Sequence, residues 1–332
     1  MAPLQAGTVM AQNQHRVRRA SGIVASLDVD RMNPLYRTMA RLLVVPIALL
    51  AGGAARADQQ ARPIRAPSVV EVVAYRTALM KHPDAVKAVQ RGVDAMLDDD
   101  CAAAIVQFDK AAAIDPKNFE AYIQRSHCDI DQGDLGMALA DAQRGVKTAP
   151  WLDQAYEARA MVLAARGELE AGWQDCETAA RIPEDPDRHL LDCRGYVEFA
   201  LGRYAEAAVH LQFTGRSEED RHRALFLYFT SKRLGRDGEI ELAKHGGPES
   251  LPGVLSDVVE MILGHLTEDS VVQRAFSAPD RCAVAFYVGE WDLQNGRTDL
   301  AADHLQRAAG CNAGYKTTLG ARAELKRLIA GR

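Results

Sequence analysis

A repeat period of 34 residues constrains the fold of this chain more than any other feature of its sequence. Three pairs of identical residues lie 34 positions apart: Tyr122 and Tyr156, Gly133 and Gly167, and Pro116 and Pro150. Small residues keep the same step at Ala104, Ala138 and Gly172. A fixed period of this length is typical of arrays in which every repeat is a pair of helices joined by a turn.

Small residues and turn glycines have separate mechanical roles in such an array. An Ala or Gly lets the backbones of two crossing helices approach, and a large neighbour such as Phe108 fills the groove beside it. Four glycines fall where the first helix of a pair must stop, and we expect them in the left-handed conformation. They are Gly133, Gly167, Gly202 and Gly296. Since no single pair buries its apolar face alone, neighbouring pairs must stack.

Partly matching copies of the pattern recur along the chain. They span about residues 85–118, 119–152, 153–187, 188–221 and 282–313. The order of an aromatic residue, a small residue, a turn glycine, a second small residue and a closing proline resembles the tetratricopeptide repeat (TPR). This resemblance implies an all-α fold, a right-handed superhelix of antiparallel helix pairs.

The copies divide the chain into segments. We expect a flexible leader over residues 58–67, an N-terminal helix and repeat array over 68–236, and a C-terminal repeat with a capping helix over 282–332. Residues 237–281 fit the period poorly and contain a Gly and Pro break, so they are predicted to form a degenerate helical insert.

The first 57 residues have the pattern of an export signal. Residues 42–55 form an apolar stretch that follows Arg37 and Arg41 and precedes a small-x-small site ending at Ala57. This pattern predicts a secretory signal peptide cleaved after Ala57, and its position indicates Met32 as the true start. The alternative is an uncleaved membrane anchor, but a spanning helix needs roughly 20 apolar residues.

Charge argues against a nucleic-acid partner. Residues 1–57 hold 7 Lys or Arg and 2 Asp or Glu, so their removal would leave 33 basic and 43 acidic residues, a net charge of −10. An acidic surface repels phosphate backbones.

The six cysteines are even in number and lie after the signal region. In an exported protein this favours disulfides. Repeat geometry places the cysteines of three local pairs at adjoining helix ends or on neighbouring helices. We therefore expect bridges that join Cys101 to Cys128, Cys176 to Cys193, and Cys282 to Cys311. The alternative is buried free thiols, above all at Cys176. Metal binding is not indicated, because no zinc-ligand spacing occurs.

Catalytic motifs are absent from the sequence. The nine His are scattered, and HExxH, GxSxG, the Walker phosphate loop and GxGxxG do not occur. We therefore expect no catalytic residue, no cofactor and no metal. The alternative is an enzyme whose site residues are dispersed along the sequence. Its site would lie in the insert, in the region of His245 and His265.

In TPR proteins the first helix of each repeat lines a concave groove that binds peptides, and this resemblance supplies the candidate site. Its positions in this chain are occupied by Ile123, His127, Glu157, Met161, Asp192, Tyr196 and Phe199. Apolar and aromatic anchors beside carboxylates would suit a basic or apolar peptide. For Tyr196 and Phe199 the alternative is packing between repeats.

The last copy and the insert before it resemble bacterial envelope TPR proteins related to the lipoprotein NlpI, although no Cys stands at the cleavage site to carry a lipid. That resemblance implies a periplasmic scaffold that binds protein or peptide partners of the cell envelope, without a stable membrane anchor. The alternative role is structural, through self-association as a homo-oligomer.

Overall fold

The structure is a computed structural model that describes residues 81–98, 100–182, 193–212, 218–239, 242, 253–311 and 315–331. The chain divides into two compact units, and all of these residues belong to the unit formed by Pro63–Pro183 and Leu191–Arg332. The predicted signal peptide, the leader and most of the predicted N-terminal helix lie outside the described residues, as do Asp192 and His245.

Every regular element of the described residues is a helix, and they number fourteen. In chain order they are α1 (Pro83–Leu97), α2 (Cys101–Ile114), α3 (Phe119–Gln132), α4 (Leu135–Thr148), α5 (Asp153–Ala165), α6 (Leu169–Ala180), α7 (Arg194–Leu201), α8 (Tyr204–His210), α9 (Glu218–Arg233), α10 (Val254–Ile262), α11 (Glu268–Arg274), α12 (Ala278–Gln294), α13 (Thr298–Ala309) and α14 (Tyr315–Ala330).

These helices pack as the repeat pattern requires. Five consecutive pairs joined by short turns contact along their lengths: α1 with α2, α3 with α4, α5 with α6, α7 with α8, and α12 with α13. The first helices of neighbouring pairs also contact, α1 with α3 and α3 with α5. The prediction of an all-α TPR superhelix is confirmed by this arrangement.

The turns confirm the expected backbone conformation. The four predicted glycines, Gly133, Gly167, Gly202 and Gly296, have φ values of 80°, 83°, 77° and 73°. In this left-handed region a side chain would be strained. The following second helices begin at side-chain caps in two repeats, where Asp100 and Asp134 accept from the backbone N–H of Ala103 and Met137.

The residues that recur every 34 positions make the same contacts in successive repeats. The hydroxyl of Tyr122 donates to the carbonyl of Pro116, and that of Tyr156 donates to Pro150, both at 3.2 Å. Each repeat is thus tied to the closing turn of the one before it. These bonds give a physical reason for the joint recurrence of Tyr and Pro.

A second recurring contact holds the two helices of a pair together. The guanidinium of Arg125 donates two hydrogen bonds to Asp141, at 2.6 and 2.8 Å, and Arg159 donates two to Asp175, at 2.6 and 2.7 Å. The two arginines and the two aspartates are again 34 residues apart. Bidentate pairs of this kind fix orientation as well as adding stability.

Helices α7 to α14 share one large apolar core. Phe226 of α9 stacks on Phe286 of α12 with ring centroids 5.1 Å apart, and Phe199 of α7 meets both rings edge-on. The insert contributes α10 and α11, which contact each other and α12. The insert is helical in its described part and packs directly beside the last repeat.

All six cysteines form disulfides. The bridges join Cys101 to Cys128, Cys176 to Cys193 and Cys282 to Cys311, with Cα atoms 5.2, 5.7 and 5.9 Å apart. These are the three local pairs that the repeat geometry predicts, and no cysteine is left as a free thiol.

The close approach of α5 and α6 can be tested at Gly172. A Cβ atom there would lie 2.8 Å from the backbone carbonyl oxygen of Ala160 in α5. Because backbone must move to accept it, Gly172→Ala should lower the free energy of unfolding by about 1–3 kcal/mol.

The matched control is Gly136→Ala in α4, where a Cβ atom would meet nothing closer than 3.6 Å. Adding Ala to an open helical site should instead raise stability by about 0.4–1 kcal/mol. Urea denaturation of both variants measures the two changes, and equal effects would contradict the crossing argument.

Candidate functional site

The groove residues predicted from the sequence lie on the first helices, but most of them are covered. Ile123, Met161, Tyr196 and Phe199 are 2%, 4%, 2% and 0% exposed. His127 and Glu157 are half-buried, and Asp192 lies outside the described residues. For Tyr196 and Phe199, whose rings pack on Phe226, the geometry is that of core residues. We call the side of the first helices that carries these residues the inner face.

The C-terminal helix α14 covers part of the inner face. It packs against α13 and α12, as a helix capping the last repeat would, and also against α5 and α7 of the third and fourth repeats. Its residues Thr317, Leu319, Ala321 and Glu324 are all buried. Contacts across 120 or more residues of sequence therefore hold the C-terminus on the array.

Two arginines of α14 bind the carboxyl ends of other helices. Arg322 donates to the carbonyl of Ala165 at the end of α5 and to that of Ala309 at the end of α13, at 2.9 and 3.0 Å. Arg327 donates to the carbonyls of Phe199 and Ala200 in the last turn of α7, at 2.8 and 2.7 Å. The last carbonyls of a helix have no partner within it and carry partial negative charge, so cations there are stabilising.

A buried ion network that includes Arg327 also fixes α14. Glu324 pairs with Arg327 at 2.6 Å and with Arg233 of α9 at 3.3 Å, and it accepts from the hydroxyl of Tyr204 at 3.2 Å. Arg233 also pairs with Glu290 of α12 at 2.9 Å. Both carboxylates are almost fully buried, so each depends on the two arginines for its counter-charge.

Burial dominates the ionisation of this network. Desolvation, followed by the charge of Glu324, raises the pKa of Glu290 to about 8, although Arg233 and Arg327 act in the opposite direction. Desolvation, followed by the same Glu324 charge, raises the pKa of Tyr204 to about 12.

The beginning of α14 lies near the first helices as well. The ammonium of Lys316 is 5.3 Å from the ring centroid of Tyr196. Desolvation, and then the charge of Lys316, lowers the pKa of His127 to about 4. Desolvation raises the pKa of Glu120, at the start of α3, to about 7. These shifts agree with an inner face from which water is largely excluded.

One group of side chains among the described residues has the spacing of metal ligands. Ligand atoms of Glu268, Asp292 and His304 lie within 4.8 Å of one another. Arg297, however, donates to Glu268 at 2.8 Å and pairs with Asp292 at 2.5 Å, while His304 meets Asp292 at 2.8 Å. The carboxylates already have a cationic partner, so the cluster is a structural ion network.

His265, the described member of the alternative enzyme site, is exposed and pairs with Glu260 at 2.8 Å. Sequence reasoning missed the residues that hold α14, because Arg322 and Arg327 have no arginine one 34-residue period before them. The Arg and Asp pairs of the repeats were detectable by that same 34-residue step.

Two half-buried histidines, His127 and His222, predict a pH dependence of stability. Desolvation is the main cause that lowers the pKa of His127 and of His222 to about 4, against about 6.5 for an unfolded chain. As the pH falls from 6.5 to 4, the unfolded state binds protons that the folded state does not, so these residues lower the free energy of unfolding.

The double variant His127→Gln, His222→Gln should therefore show a shallower loss of stability between pH 6.5 and 4.5 in urea denaturation. Carboxyl groups with raised pKa values change the stability in the opposite direction to these histidines. They do so in wild type and variant alike, so their effect cancels when the two proteins are compared. An unchanged slope would contradict the burial of these two rings.

The arginine contacts of α14 make a second prediction. Arg327→Met removes the bonds to two carbonyls and the counter-charge of buried Glu324, and should cost about 2–4 kcal/mol. Hydrogen exchange should accelerate selectively in α14. The control Lys326→Met changes an exposed neighbour and should stay within about 0.5 kcal/mol; equal effects would show that the contacts do not hold the helix.

Comparisons with known proteins give similarity in fold alone. No protein-family model matches the chain, and no curated protein matches it at a significant level. The structure is similar to a tetratricopeptide repeat protein from Parabacteroides merdae, with 16% identity, a TM-score of 0.41, and coverage of 74% of this chain and 99% of that one. It is also similar to the TPR domain of P58(IPK), with 16% identity, a TM-score of 0.29, and coverage of 80% and 71%.

At these values the similarities carry no argument about function, and the TPR architecture stands on the helix pairs and repeated contacts described above. The resemblance to NlpI-type proteins stays a prediction. No helix in the described part of the chain is both long and apolar enough to cross a membrane. The three disulfides are typical of proteins of an oxidising compartment.

Proposed function

We propose that this protein is an exported, non-catalytic scaffold that binds segments of other envelope proteins on the inner face of its first helices. The observation that carries the proposal is the seating of α14. A helix lies there against other helices, with small and apolar residues buried and arginines on helix carbonyls, which is the chemistry of helix-in-groove recognition. One helix of the chain itself, α14, thus occupies part of this face.

The surface for a partner lies beside α14 rather than beneath it. Arg322 meets α5 at its last residue, Ala165, whereas Gln154 and Glu157 lie near the other end of the helix. At a rise of 1.5 Å per residue, Gln154 is about 16 Å from Ala165 along the helix. Gln154 is exposed and Glu157 is half-buried, so this end of α5 can be reached by a partner.

Charge indicates the character of the partner. A net charge of −10 after removal of residues 1–57 attracts basic segments and repels nucleic acid. The export signal and the disulfides support the periplasm, or the outside of the cell, as the place of action.

The test is site-specific photo-crosslinking in cells that export the full chain. A benzophenone amino acid replaces Gln154 on the first helix α5 or, as the matched control, the exposed Gln174 on the second helix α6. We expect a crosslinked partner from position 154 and none from position 174. The identified partner should then bind the purified protein, and Glu157→Lys should weaken that binding at least about tenfold, since a reversed charge repels a basic segment.

Crosslinks from position 174 alone would overturn the inner-face assignment. Adducts with a second copy of the chain, together with a mass that rises with concentration, would favour the structural role through self-association.

A further inference from the structure

A cavity of about 430 Å³ lies between the carboxyl-terminal halves of α9 and α12. Tyr228 and Phe229 of α9 and Trp291 of α12 supply aromatic walls. Glu290 and Gln294 lie one turn apart on α12 and supply polar atoms. This cavity is separate from the inner-face positions around Gln154, and the scaffold function does not use it.

Three buried polar atoms of the cavity lack a hydrogen-bond partner in the described structure: Oε1 of Glu290, Oε1 of Gln294 and the hydroxyl of Tyr228. All three can accept, and the hydroxyl can also donate. Glu290 is 1% exposed, and while its Oε2 accepts from Arg233, its Oε1 is buried without a hydrogen-bond partner in the described structure. The Oε1 atom of Gln294 is likewise buried and unpaired. A buried acceptor without a donor costs roughly 1–3 kcal/mol, so both atoms favour a ligand that donates hydrogen bonds.

The charges around the cavity favour a cation. The basic side chains already have carboxylate partners: Arg233 pairs with Glu290 and Glu324, and Lys232 pairs with Glu239 at 3.3 Å. A ligand anion would therefore meet no unpaired cation among these residues. Glu290 shares Arg233 with a second buried carboxylate, Glu324. Desolvation, followed by the charge of Glu324, raises the pKa of Glu290 to about 8, so a cation bound at its Oε1 would favour the ionised form.

The aromatic walls act in the same direction. The ammonium of Lys232 lies 5.8 Å from the ring centroid of Tyr228, so an ammonium of the chain itself already rests against this wall. Aromatic faces attract alkylammonium groups and also pack against their methylene chains. Three unpaired oxygen atoms are too few for Ca²⁺, which takes 6–8 oxygen ligands.

We propose that this cavity binds a primary alkylammonium group, whose N–H bonds go to Glu290 Oε1 and Gln294 Oε1 and whose methylene chain lies against Trp291 and Phe229. Such a group occurs on a free amine and on the lysine side chain of a peptide, and the experiment distinguishes these two sources.

The test titrates the purified full chain with n-butylammonium, Nα-acetyl-lysine methylamide and, as the uncharged control, n-butanol, using calorimetry and the fluorescence of Trp291. We expect saturable binding of an amine and at least tenfold weaker binding of n-butanol. Tighter binding of the lysine derivative identifies a peptide side chain as the ligand, and tighter binding of n-butylammonium identifies a free amine. The fluorescence change should disappear in Trp291→Phe.

Two variants remove one acceptor each. Gln294→Leu and Glu290→Gln should both weaken amine binding at least tenfold, whereas Gln306→Leu, at an exposed site on α13, should leave it unchanged. Gln294 is only half-buried, so its variant keeps the test valid even if Glu290→Gln fails to fold.

Proton release gives an independent readout. Glu290 is faced by Arg233 of α9 and by Glu324 and Arg327 of α14, with Lys232 and Glu239 at the cavity. Binding of a cation favours its ionised form, so amine binding at pH 7 should release protons in wild type and fewer in Glu290→Gln. Equal affinity for n-butanol and n-butylammonium, or amine binding untouched by both variants, would overturn the proposal.

Discussion

The close crossing of paired helices is the constraint on which the rest of the structure depends. Gly92, Gly195 and Gly289 lie where a Cβ atom would collide with Phe108, Leu211 and Leu305 of the partner helix. Each pair therefore closes around one large side chain, but it leaves its other faces apolar. Stacking against the next pair buries those faces, and the tyrosine, arginine and aspartate contacts fix the spacing of the stack.

Stacking in one direction leaves the inner face of the first helices and one side of the last pair uncovered. Helix α14 covers part of the inner face and also packs on the last pair. The helix approaches α12 so closely at Gly320 that a Cβ atom would lie 2.6 Å from the ring of Phe286. Its arginines satisfy carbonyls at three helix ends, and Glu324 is buried with them. A buried ion network is costly to form and costly to break, so it fixes one position of α14 rather than adding much net stability.

This arrangement changes how the candidate site is understood. Sequence reasoning placed the peptide-binding anchors at Tyr196 and Phe199, which the fold uses as core residues, so their loss would disturb folding before it disturbed binding. Reachable surface lies instead near Gln154, and a separate cavity with unpaired acceptors lies between α9 and α12. The proposed partner surface and the proposed amine site thus lie in different parts of one array.

The sequence by itself determined the repeat, the helix pairs, the left-handed turn glycines and the three cysteine pairs, because all of these depend on contacts within one or two neighbouring repeats. Local spacing is sufficient information for such contacts. The covered inner face, the ion network around Glu290 and Glu324, and the cavity beside Trp291 were decided only by the tertiary structure. They join helices far apart in the chain, mostly at residues that do not recur at the repeat period, and no periodic pattern encodes a contact that is made only once.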